Sequence, residues 1–100
     1  MAMGKVGYVY LTASRPNGVV YVGVTSNLVQ RIHQHKIKFY PKSFTARYNA
    51  DQLVYFEEFS SIVDAIAREK QVKAGSRKKK VALIEKDNPR WRDLYEDLIG

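Results

Sequence analysis

Gly7-Tyr8-Val9-Tyr10-Leu11-Thr12-Ala13-Ser14-Arg15-Pro16-Asn17-Gly18-Val19-Val20-Tyr21-Val22-Gly23 is the stretch whose reading decides the fold. Two short apolar runs, each carrying tyrosine and glycine, flank a polar Pro-Asn-Gly segment, which between β-prone runs is a hairpin signal. Pro16 presets φ for the first corner and Gly18 is free to take a positive φ. The pattern predicts one strand over Val6–Thr12 and a second over Val19–Val24. In period-2 alternation Tyr8 and Tyr10 share one face of the first strand. Tyr21 and Gly23 share a face of the second, with Val20, Val22 and Val24 opposite. One face of the hairpin therefore collects phenolic hydroxyls around a residue with no side chain. Such a cluster suits a polar ligand held close to bare backbone, and it suits ordinary packing equally well.

Residues 1–5 read as a loose start. Beyond the hairpin, Thr25-Ser26-Asn27 offers N-caps for a helix through about Lys36, with Gln30 three residues after Asn27 as a capping-box partner. Leu28 and Ile32 form its buried stripe, and Arg31 and His35 project together from the edge of that stripe. Periodicity then stops from Ile37 to Asp51. There Lys38, Lys42 and Arg47, with Lys36 just before them, interleave with Phe39, Tyr40, Phe44 and Tyr48. Cations for phosphates and rings for unstacked bases are what a strand-binding surface needs. The alternative is that two of the four rings anchor the loop to the core.

Gln52–Phe59, rich in Val, Tyr and Phe, is the third predicted strand. Ser60-Ser61 caps a helix through about Lys73, with Ile62, Ala65 and Ile66 on its core face and Glu69 in the middle of that stripe. A carboxylate there requires a partner. Lys73, one turn on, supplies at most about 0.3–0.5 kcal/mol, so a metal or a cation such as Arg31 is the expected partner. Gly75-Ser76 breaks the chain, and Arg77 to Lys80 open a helix reaching about Lys86, with Lys78 and Lys79 as non-specific phosphate contacts. Asn88-Pro89 reads as N-cap and first-turn proline of a last helix carrying Trp91, Leu94, Tyr95 and Leu98 as core.

The chain of 100 residues carries 17 Lys and Arg against 10 Asp and Glu, a net charge of +7, and no cysteine. That size supports one domain, residues 1–100, with one modest core. A surplus of positive charge attracts polyanions, nucleic acid above all. The absence of cysteine excludes disulfides and thiolate metal sites and fits a cytoplasmic location. No apolar run approaches the roughly 20 residues of a membrane span. The element order strand, turn, strand, helix, loop, strand, helices predicts an α+β fold: a small three-stranded antiparallel sheet flanked by helices. On it Tyr10, Tyr21, Arg31, His35 and Glu69 are placed to converge. Phenol, guanidinium, imidazole and carboxylate together suit phosphodiester hydrolysis.

With those residues laid out, the chain resembles a GIY-YIG nuclease domain, in particular the compact single-domain bacterial type. Tyr8-Val9-Tyr10 stands at the first tripeptide and Tyr21-Val22-Gly23 at the second. Arg31 and His35 follow on the first helix, and Glu69 lies in Ala67-Arg68-Glu69-Lys70-Gln71 at the family's metal-binding glutamate. The first tripeptide begins with Tyr8 instead of glycine, Val24 follows the second where a polar residue is common, and Asn88 is a poor match for the family's later asparagine. The resemblance implies a divalent-metal-dependent DNA endonuclease, with Mg²⁺ or Mn²⁺ on Glu69, Arg31 on the phosphate, and Tyr21 with Tyr10 or His35 handling water. It also implies a GIY-YIG-like fold and a role in DNA repair or the processing of structured or branched DNA. Gly23 and the basic and aromatic residues named above are the expected nucleic-acid contacts. Specificity is expected from the loop, from a homodimer or from a protein partner. The alternative is a nucleic-acid-binding module that kept the fold and lost the chemistry; a third reading is an adaptor whose protein contact is the Phe39 to Tyr48 loop.

Overall fold

In the computed structural model, which describes residues 6–100, Gly7–Ala13 (β1) and Val20–Thr25 (β2) form the expected hairpin. Tyr8 lies opposite Thr25, Tyr10 opposite Gly23 and Thr12 opposite Tyr21. Gln52–Phe59 (β3) pairs antiparallel with the other edge of β1, giving the order β2-β1-β3 with a register irregularity between Leu11 and Thr12. The loose start expected over residues 1–5 lies outside the described residues.

Helices cover both faces of the sheet, which is why β1 reads as a nearly continuous apolar run. Val9, Leu11, Ala13, Val22 and Val54 face the helices Ile62–Ala74 (α3) and Arg77–Asp87 (α4). On the other face, Tyr10 and Leu53 pack with Leu28 and Ile32 of helix α1 (Leu28–Lys36) and Tyr95 of α5 (Tyr95–Ile99). The caps form as the sequence indicates. Asn27 accepts from Gln30 N at 3.1 Å, and Ser61 accepts from Val63 N at 3.2 Å.

Four expectations are corrected. In the hairpin turn the positive φ of 60° falls on Asn17, and no described glycine takes one. Asn tolerates the left-handed region through its short polar side chain, whereas Gly18 is needed for room, since a Cβ there would collide with Ser14. The irregular loop contains a short helix, Phe44–Arg47 (α2), capped by Ser43. On α3 the inward stripe is Ile62, Ala65, Glu69 and Val72, while Ile66 is turned outward at 39% exposure. Finally, Asn88 does not start the last helix. It ends α4, and its buried amide donates to Val54 O at 3.1 Å and Arg92 O at 2.8 Å while accepting from Arg92 N. One continuous helix from Asn88 would have placed Trp91 and Tyr95 in the same core, but they belong to opposite faces of the sheet. Trp91 therefore adopts φ 56°, and Asp93 restarts the chain by accepting from Tyr95 N at 3.0 Å and Leu53 N at 3.1 Å.

Among the described residues no helix is long and apolar enough to cross a membrane.

Candidate active site

The hairpin register sets the geometry. Tyr10 is completely buried at the centre of the sheet, and its ring lies across the backbone of Gly23 on the neighbouring strand. A Cβ at position 23 would fall 2.8 Å from Tyr10 Cε1 and closer still to the end of the ring. Gly23 is itself buried, so the bare backbone expected to receive a ligand is occupied by the phenol. The glycine is required for close approach, as read from the sequence, but the approaching group is Tyr10.

The phenol crosses to α1 and hydrogen-bonds His35 Nε2 at 2.8 Å. His35 Nδ1 meets Thr45 Oγ1 at 2.8 Å, and Thr45 Oγ1 lies 3.3 Å from Ser43 Oγ, the cap of α2. With Tyr10 donating to Nε2, the neutral imidazole carries its proton on Nδ1 and donates to Thr45. Burial, assisted by the Arg31 charge, lowers His35 from 6.5 to about 4, so the ring is neutral near pH 7. Burial also raises Tyr10 to about 12; Arg31 opposes that rise, while Tyr21 and Glu69 add to it. Tyr10 is therefore a hydrogen-bonding group and not an anion in this setting. Thr45 and Ser43 were not singled out in the sequence. The one signal for them is Ser43 three residues before Ala46, a cap that turns Thr45 inward.

Arg31 sits one helical turn before His35. Its guanidinium faces the Tyr10 hydroxyl, lies 5.9 Å from the Tyr40 ring centroid and touches Gln34 Oε1 at 3.4 Å. Desolvation works against the cation, and contact with Tyr10 more than compensates, leaving the group firmly protonated. Its Nε is buried without a hydrogen-bond partner. An unmet guanidinium N–H is costly, and this one borders a cavity where an anionic oxygen would satisfy it. Tyr21, Arg31, His35, Tyr40, Phe44 and Thr45 line a cavity of about 360 Å³ at this place. Tyr21 stacks on Phe44 at 5.9 Å and meets His35 edge-on at 5.9 Å.

Glu69 does not line that cavity. Its carboxylate, 13% exposed, borders the site closely enough to act on the Tyr10 hydroxyl and pairs with Lys73 at 3.6 Å. Among the described residues no three His, Cys, Asp or Glu side chains form a metal cage. A Mg²⁺ ion is commonly held by one or two carboxylates plus substrate phosphates and retained waters. One hard oxygen ligand beside a cavity lined by a fixed guanidinium fits that mode of binding.

The residues expected to meet nucleic acid divide. Phe39, Tyr40, Phe44 and Tyr48 are 55%, 54%, 43% and 48% exposed, so none is a buried anchor of the loop. Lys38, Lys42 and Arg47 are exposed beside them, and Lys78 and Lys79 are exposed on α4. Lys36 is not a free cation. It pairs with Asp93 at 2.6 Å, donates to Asp51 O at 3.1 Å, and so ties α1 to the segment before α5.

Comparison with known proteins bears on the family. A UPF0213 protein of Staphylococcus haemolyticus is 37% identical over 78 residues, covering 78% of this chain and 93% of its own. One from Syntrophus aciditrophicus is 33% identical over 82 residues, 82% of this chain and 92% of its own. A third, from Pediococcus pentosaceus, is 30% identical over 81 residues, 81% of this chain and 84% of its own. No solved structure gives a significant match. The model of the GIY-YIG catalytic domain matches residues 6–82, a span that takes in both tyrosines, Arg31, His35 and Glu69. The chain belongs to the GIY-YIG catalytic-domain family, whose function is of nuclease type.

Proposed function

We propose that this protein is a divalent-metal-dependent DNA endonuclease. The observation that carries the reading is the convergence of an unpartnered, buried Arg31 Nε with Tyr21 on a cavity backed by the Tyr10–His35–Thr45 chain. A phosphodiester oxygen in that cavity satisfies the guanidinium, and the charge that develops on the phosphate meets a cation already fixed in place. Both ring nitrogens of His35 are engaged, and Tyr10 is closed off from solvent. Contact with the attacking water therefore falls to Tyr21, whose half-buried ring is held between Phe44 and His35. Tyr10 and His35 position it by fixing the wall behind. Glu69 would hold Mg²⁺ or Mn²⁺, which when bound polarises the phosphate and neutralises its charge. The exposed rings and lysines of residues 38–48 would bind the substrate around the cut.

A second reading, a binding module without chemistry, draws support from Asn88. Its amide is fully engaged by Val54 and Arg92 and is not free for a substrate. Incubating a panel of structured DNA and RNA substrates with Mg²⁺ or Mn²⁺ decides between them. Cleavage abolished by chelator and by Glu69→Ala supports the enzyme; salt-sensitive binding without cleavage supports the module.

A further inference from the structure

Beyond the cavity of Tyr21 and Arg31 the surface remains concave. Tyr21 and Phe44 also wall a second depression, about 350 Å³, along the β2 edge, whose far side is Lys73 and Lys80 with Val20 and Val22 as its floor. Lys80 belongs in turn to a groove of about 480 Å³ between α3 and α4, bordered by Lys79, Lys86, Val72 and Leu83. Three depressions thus share walls in succession, first two aromatic rings and then a lysine.

The cations on this route differ in freedom. Lys80 donates to the carbonyls of Lys73 and Gly75 and so completes the end of α3. Lys73 is 64% exposed in its side chain and is held by Glu69 at 3.6 Å, beyond hydrogen-bond distance. An i,i+4 pair whose lysine is exposed and whose atoms stand beyond hydrogen-bond distance is weak and gives way to a stronger acceptor. A phosphate carries that acceptor, and the exchange leaves the Glu69 carboxylate open to another cation.

We propose that this route carries one strand of the substrate away from the catalytic cavity, with Lys73 as its first phosphate contact beyond Tyr21 and Phe44. Pockets of this size admit a base and sugar, and the ring face of Phe44 is complementary to an unpaired base. The strand is therefore single along this stretch. Its starting point rests on the nuclease reading; its contacts do not require cleavage.

The test is salt-titrated binding of a fluorescent oligothymidylate to the full chain in chelator, using wild type, Lys73→Met, Lys73→Arg and Lys70→Met. Lys70 is exposed on α3 and lines none of the three depressions. Loss of one contact lowers the slope of log K against log salt by about 0.7 for a single strand. The expected result is that loss for Lys73→Met, its recovery in Lys73→Arg, and no change in Lys70→Met at unaltered melting temperature. Equal slopes for Lys73→Met and wild type, or equal losses for the Lys73 and Lys70 variants, overturn the proposal. Mg²⁺-dependent cleavage by the wild type is read separately. Its absence alongside the expected slopes refutes the nuclease reading and supports the path.

Discussion

Gly23→Ala is expected to disrupt the site without touching any group that handles substrate. The added Cβ lies 2.8 Å from Tyr10 Cε1, and carbon atoms rest at about 3.5–4.0 Å, so the ring must withdraw by about 1 Å. It has nowhere to go, because Tyr10 is fully buried and its hydroxyl is tied to His35 at 2.8 Å. Overpacking of this kind costs about 1–3 kcal/mol, and losing the hydrogen bond adds about 0.5–1.5 kcal/mol. The sum, about 1.5–4.5 kcal/mol, corresponds in a domain of this size to a fall in Tm of about 6–36 °C. Urea and thermal unfolding measure it. A double-mutant cycle with Tyr10→Phe tests the cause, since removing the hydroxyl shortens the ring and should make the alanine less costly. A Gly23→Ala protein within about 0.5 kcal/mol of wild type, or additive with Tyr10→Phe, would refute the reasoning.

Acid should destabilise the fold through His35. The unfolded imidazole takes up its proton near 6.5 and the folded one only near 4, so between those values the unfolded state binds more protons and stability falls as pH falls. Tm measured across that window should drop more in wild type than in His35→Gln; parallel curves would contradict the shift. Phe44→Ala should weaken single-strand binding by about 1–3 kcal/mol if its exposed face stacks on a base. A lowered Tm at unchanged affinity would instead make the ring structural.

Much of this arrangement was legible in the sequence because it rests on short-range rules. Pro-Asn-Gly and period-2 alternation placed the hairpin, and Asn27 and Ser61 cap helices as their positions indicate. Glu69 stood out as an acid among apolar neighbours at helical spacing. What escaped was decided at long range. Asn88 before Pro89 is an N-cap by local chemistry, and only Val54, 34 residues away, makes it a clamp. Lys36 resembles its basic neighbours until Asp93 arrives from the far end of the chain. The helix Phe44–Arg47 has four residues, too few for any period to show. The buried state of Gly23 follows from the reach of a ring on the next strand, which alternation alone does not specify.

Glu69→Gln bears most directly on the proposed chemistry, because it preserves size and hydrogen-bonding capacity and removes the charge a hard divalent ion requires of its ligand. The pair it breaks, with exposed Lys73, contributes about 0.3–0.5 kcal/mol, so Tm should move by only about 1–4 °C. Mg²⁺-dependent cleavage should fall by orders of magnitude, while DNA affinity in chelator holds or rises with one negative charge gone. A folded Glu69→Gln protein that cuts DNA at near the wild-type rate would contradict the account.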